Sequence, residues 1–160
     1  MVSFLAALVA GAASVNAIIE LLKQTKGTVF VYEDGIDDLF QLLPALTEPE
    51  LELLEARMPC PIPPDISELL RFTNGFNVGG GIEEVGFSGL QGGFGMEEIF
   101  PHSIPLAADG FGNYWVLDLT SESRSWGPIF YACHDAPVIV YRTDSPLHFV
   151  QEAIRFGNKP

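Results

Sequence analysis

His134-Asp135 is the pair in this chain that comes nearest to metal chemistry, and Glu97, Glu98 and His102 are the side chains that could complete a ligand set. A metal centre needs three or four such ligands converging from rigid elements. His134 and Asp135 instead fall in a turn between two strand-like runs, where an imidazole and a carboxylate usually bond to the turn itself. Gly86-Phe87-Ser88-Gly89 approaches a nucleophile elbow. Leu90 and Gln91 follow where the second spaced glycine belongs, however, and no strand-to-helix step surrounds it. Asp109-Gly110-Phe111-Gly112-Asn113 has the residue types of a calcium loop, but Thr120 stands at the twelfth place, which needs a bidentate glutamate. Gly79-Gly80-Gly81 and Gly92-Gly93 lack the lysine and hydroxyl of a phosphate loop. These residues point away from catalysis and imply no cofactor. An uncharacterised hydrolase is the alternative from another class.

Charge is the stronger signal. The 160 residues carry 21 acidic against 8 basic side chains, a formal net charge of −13. From Phe72 to Ser123 there is no lysine or arginine, while Glu83, Glu84, Glu97, Glu98, Asp109, Asp118 and Glu122 all fall inside. A nucleic-acid backbone would meet repulsion there, so nucleic acid is excluded as a direct ligand. A basic protein would be steered towards the same surface. Aromatic residues lie among these acids: Phe111 and Trp126 in turns, and Tyr114 and Trp115 on opposite faces of one strand. The candidate partner-binding set is therefore Glu83, Glu84, Glu97, Glu98, Phe111, Trp115, Glu122 and Trp126.

The elements that position these residues can be read in order. With 48% apolar and 18% charged residues, the chain can bury a core without staples. Cys60 and Cys133 read as reduced thiols in a cytoplasmic protein. Leu5, Leu8, Ala12, Val15, Ile19 and Leu22 form one stripe of an N-terminal helix, packed on the core or pairing two copies as a homodimer. Its uninterrupted apolar part, Phe4 to Ala13, is too short to span a membrane. No basic residue precedes it, though residues 1–17 acting as a signal peptide, and hence export, is the alternative.

Thr28–Tyr32 is β-rich and Gly35–Leu43 reads as a helical fragment. Thr47 and Glu50 write a capping box before Leu51, Leu54 and Met58. After the joint Pro59-Cys60-Pro61-Ile62-Pro63-Pro64, a helix capped by Asp65 ends in a left-handed stop at Asn74-Gly75. Asn77 to Leu90 is glycine-rich with weak alternation, and Met96–Phe100 reads as a helical turn. Ile104–Ala108, Tyr114–Leu119, Pro128–Cys133 and Val138–Tyr141 form an antiparallel meander. Ser145-Pro146 caps a last helix with Leu147, Val150 and Ile154 on one stripe. No repeat or linker divides the chain, so residues 1–160 form a single domain.

The run ELELLEARM, the proline joint, PPDISELLRFTNGF and then IPLAADGFGNYWVLDL, followed by a strand with Phe-Tyr and a terminal helix, resembles the SUKH superfamily. That group comprises cell-wall-synthesis regulators and bacterial toxin-immunity proteins. The likeness runs from about Leu51 to Phe156, with residues 1–50 an extension packed on it. It implies an α+β fold whose mixed, largely antiparallel sheet is covered by helices. It also implies a protein that binds other proteins: an immunity protein for a cognate toxin, often a nuclease or deaminase, or a regulatory adaptor with an endogenous partner.

Overall fold

The computed structural model describes residues 4–31, 35–58, 60–78, 82, 84–89, 94–119, 127–135 and 138–158, with side chains from Val15 onward. Among them, helix α1 (Phe4–Thr25) leads into a hairpin of β1 (Val29–Val31) and β2 (Asp37–Leu39). Helices α2 (Glu48–Arg57) and α3 (Pro64–Phe72) follow. Six strands come next: β3 (Gly75–Asn77), β4 (Glu84–Gly86), β5 (Ser103–Ala108), β6 (Asn113–Asp118), β7 (Ile129–Cys133) and β8 (Val138–Thr143). Helix α4 (Pro146–Gly157) ends the fold. The six strands pair in chain order, and every described pairing is antiparallel. This is the expected α+β fold with its N-terminal helix.

Each face of the sheet is covered differently. Phe76, Val85, Ala107, Trp115, Tyr131 and Val140 are successive cross-strand partners, so they form one row on one face. On that side the main core gathers Val15, Ile18 and Leu22 of α1, Ile66, Leu69 and Leu70 of α3, and Phe149, Val150 and Ala153 of α4. The opposite face carries Tyr114, Val116, Phe130 and Ala132 under a cover of Phe94, Met96 and Phe100. Phe94 meets Tyr114 edge-on at 5.6 Å, and Phe100 lies 5.8 Å from Phe130. The turn expected over Met96–Phe100 is present, closed by the Ile99 and Phe100 N–H groups donating to the Met96 carbonyl. A bulge at Leu106 shifts the register of β5, which suits Pro105, a residue with no N–H to give the ladder.

Of the α1 stripe, Val15 and Leu22 are buried and Ile19 packs partly against the core, while the side chains of Leu5, Leu8 and Ala12 lie outside the described residues. The C-terminal half of the helix packs on α3 and α4, and Lys23 lies 5.8 Å from the centre of the Phe72 ring. The capping box on α2 is complete: Thr47 Oγ1 accepts from Glu50 N–H, and Glu50 Oε2 accepts from Thr47 N–H. Ser145 caps α4 as expected.

Three local expectations are corrected. Gly35–Leu43 is not helical: β2 pairs with β1, and residues 41–43 run extended along β3. Extension satisfies the backbone of β3 and still buries Phe40, which a free helical turn there would not do. Asp65 does not cap α3, because the helix starts one residue earlier, at Pro64 after Pro63. Its carboxyl is buried, and burial raises its pKa. Asn74-Gly75 is not a left-handed stop either. Helix α3 ends in the extended Thr73, and Gly75 opens β3.

Gly75 is required there by close approach. A Cβ at this position would sit 1.8 Å from the Val85 carbonyl oxygen. The fully buried Thr73 hydroxyl lies 2.7 Å from both the Leu43 and the Gly75 carbonyls and accepts from the Gly75 N–H. Gly75→Ala must push β3 away from β4, and a loss of about 3 kcal/mol or more in urea denaturation is expected. A change below about 0.5 kcal/mol would show that the two strands do not approach in this way.

Candidate protein-binding surface

The acidic and aromatic side chains singled out above are sorted by the turns at the sheet ends. Asp109 organises one of them. Its Oδ1 accepts from the Phe111 N–H at 2.8 Å and the Asn113 N–H at 3.2 Å. Its Oδ2 accepts from Asn113 Nδ2 and from the Tyr131 hydroxyl, each at 2.7 Å. Burial works against ionisation of this carboxyl, but the bonds from Asn113, Phe111 and Tyr131 hold it below its ordinary value. Burial and the bond to Asp109 push the Tyr131 phenol up to about 12. The residue types of a calcium loop are thus used to tie a turn between β5 and β6.

That turn holds Phe111 at its tip, 84% exposed. The β7–β8 turn stands beside it. A Cβ on Gly112 would come 3.8 Å from the His134 Cβ, and one on Gly95 would come 3.5 Å from the His134 ring. The segment bearing Glu97 therefore lies at the same end of the sheet. Glu97 Oε1 accepts from the Phe94 N–H at 2.7 Å and the Gly95 N–H at 3.3 Å. Its own backbone N–H, with those of Phe94 and Gly95, holds the carboxyl below the usual range. Glu98 follows it, exposed. The Val85↔Ala107 pairing brings the exposed Glu84 to the same end, alongside Ala108.

Glu84, the segment carrying Glu97 and Glu98, and Phe111 therefore lie towards one end of the sheet, with Asp135 next to His134. Segments 84–89, 94–119 and 127–135 supply this end without a lysine or arginine. Trp115 is placed differently. It packs against the main core, lies 4.8 Å from the Tyr131 ring, and lines a groove beside α4. Glu83, Glu122 and Trp126 lie outside the described residues.

His102 stands at the opposite end, beside the Ser103↔Asp118 pair, roughly 17 Å along the strands from the His134 turn. Burial raises the Asp118 pKa, against the opposing pull of His102. Among the described residues no three His, Cys, Asp or Glu side chains gather to hold a metal ion. Two roles were not visible in the sequence: Glu97 as the anchor of its own loop, and Asp109 as a shared acceptor reaching across to Tyr131.

The bond between Asp109 and Tyr131 makes stability depend on pH at both extremes. The depressed Asp109 carboxyl contributes stability that is complete above its unfolded value of about 4 and is lost as pH falls through the lower folded value. Tyr131 has a raised pKa, so its contribution is complete below about pH 10 and is lost as pH climbs towards 12. Asp109→Ala is expected to cost about 1–3 kcal/mol and to bring the Tyr131 phenol back towards its ordinary value in an ultraviolet titration. A phenol unmoved by the substitution would contradict the shared bond.

No described helix is long and apolar enough to cross a membrane. No curated protein and no solved structure matches the chain. One family model does, described as the SMI1 / KNR4 family (SUKH-1), and it covers residues 45–152, from before α2 to within α4. With that match over more than half of its length, the chain belongs to the SMI1 / KNR4 (SUKH-1) family.

Proposed function

We propose that this protein is a non-enzymatic immunity protein, acting in the cytoplasm, that neutralises a basic bacterial toxin by covering its active groove. Family membership supports a protein of the immunity or regulatory type. The observation that supports the finer reading is that Glu84, Glu98 and the exposed Phe111 fall towards one end of the sheet, in segments free of cations. A nuclease or deaminase must present positive charge to its polyanionic substrate. Carboxylates on a rigid sheet end meet that charge, while an exposed aromatic ring supplies apolar contact that ions cannot. Glu97 belongs to the same surface, but one of its oxygens is already bonded to its own loop.

The test is co-expression with the product of the adjacent reading frame, followed by affinity measurements over a salt series. Relief of toxicity is expected, with binding weakened roughly tenfold or more between about 50 and 500 mM salt. Glu84→Lys and Glu98→Lys should each weaken binding and reduce the salt dependence, and Phe111→Ala should weaken binding without changing it. Flat salt dependence would refute electrostatic occlusion. Stable association without relief of toxicity would favour a regulatory adaptor.

A further inference from the structure

The two edges of the six-stranded sheet are treated differently. At β3 the chain closes its own edge. Leu42 bridges to Phe76, the Leu43 N–H donates to the Gly75 carbonyl, and the Asn77 N–H donates to the Gln41 carbonyl. At β8 no described residue pairs with the outer side. Exposed edges in monomers are usually blunted by charges, proline or bulges. Here Val138, Ile139, Val140 and Tyr141 are consecutive and between 40% and 55% exposed. They stand in regular register with Cys133, Ala132, Tyr131 and Phe130, so their backbone is straight enough to template another strand. The one bulge of this strand, at Arg142, comes after that stretch.

Charge brackets the open stretch. Asp135 precedes it with a side chain 98% exposed, and the exposed Arg142 and Asp144 follow it, Asp144 accepting from the Tyr141 hydroxyl. No acid lies from 136 to 143. The Asp135 end of β8 adjoins the acidic end of the sheet described above.

We propose that β8 is a docking edge that takes an extended apolar segment of a partner protein, with a basic residue beside Asp135, as a seventh strand. For the partner's identity this rests on the toxin-binding reading and specifies how that partner is held. Main-chain pairing along Val138–Tyr141 supplies affinity, and Asp135 selects a flanking cation. The incoming side chains alternate: one set lies beside Ile139 and Tyr141 on the outer face, the other beside Val138 and Val140 on the helix side.

The probe is a ten-residue peptide of alternating valine and threonine with a lysine at each end, titrated into the full chain and followed by amide NMR. The control peptide has the same charge but carries proline at alternate positions, so it cannot pair. Expected are shifts and slowed amide exchange across Val138–Thr143 with the first peptide and none with the second. Ile139→Glu should weaken the peptide tenfold or more, although it adds a charge that attracts lysine. Val138→Glu is the second variant, should the first disturb folding. Several results overturn the proposal: equal binding of both peptides, no binding up to millimolar concentration, or shifts confined to Glu84, Glu98 and Phe111. So does a wild-type dimer that Ile139→Glu converts to monomer, because the edge then serves a second copy. A silent β8 in this titration leaves occlusion by the acidic end to its own salt series. A toxin whose affinity ignores salt leaves the peptide result standing.

Discussion

The contact between Gly75 and the Val85 carbonyl sets much of the arrangement, because three elements meet within a few residues of it. Helix α3 ends at Thr73, the extended segment 41–43 arrives from the β1–β2 hairpin, and β3 begins against β4. The Thr73 hydroxyl bonds across this junction, where an unsatisfied buried hydroxyl would be costly. Phe76 then stands one residue on, 5.4 Å from Phe40 and 6.0 Å from Phe87. Phe40 lies 5.2 Å from Phe30, so a continuous aromatic stack ties the N-terminal hairpin to the sheet. The first fifty residues, which the family motifs did not cover, are therefore joined to the core by the same joint that starts the sheet.

From that joint the central strands β5 to β7 form a platform covered on both faces, and this explains why they carry few polar residues. On β6, Leu117 and Trp115 serve the helix side while Val116 and Tyr114 serve the other. Polar chemistry is displaced to the strand ends. There, short acceptor groups hold the turns: Asp109 on β5–β6, and Glu97 under Phe94 and Gly95. Asp109 and Glu97 are thus engaged in holding backbone at the tips of the strands.

Much of this was legible in the sequence wherever one local rule governed. The meander from β5 to β8 followed from alternation and turn pairs, and α2 from its capping box. What failed was decided by distant partners. Residues 35–43 carry a helix-like pattern, but β3 offered unpaired backbone and the extended form won. Asn74-Gly75 has the composition of a helix stop, yet its glycine answers to Val85, a residue outside any local window. The candidate surface was half legible. The run without lysine or arginine marked Glu84, Glu97, Glu98 and Phe111, and the sheet then places them towards one end. Trp115 falls on the helix side and is partly buried; a strand aromatic gives no sign of which face is covered more deeply. The family match starts at residue 45 rather than near Leu51, which adds the segment leading into α2.

The strap over β3 has a further consequence for assembly. A sheet that is strapped on one side by its own chain grows more readily at the other. Two copies joined through their remaining open strands would carry a strap of residues 41–43 along each outer side of the joined sheet. Residues 41–43 thus make growth at β3 harder, since an incoming strand would have to displace chain already bonded there.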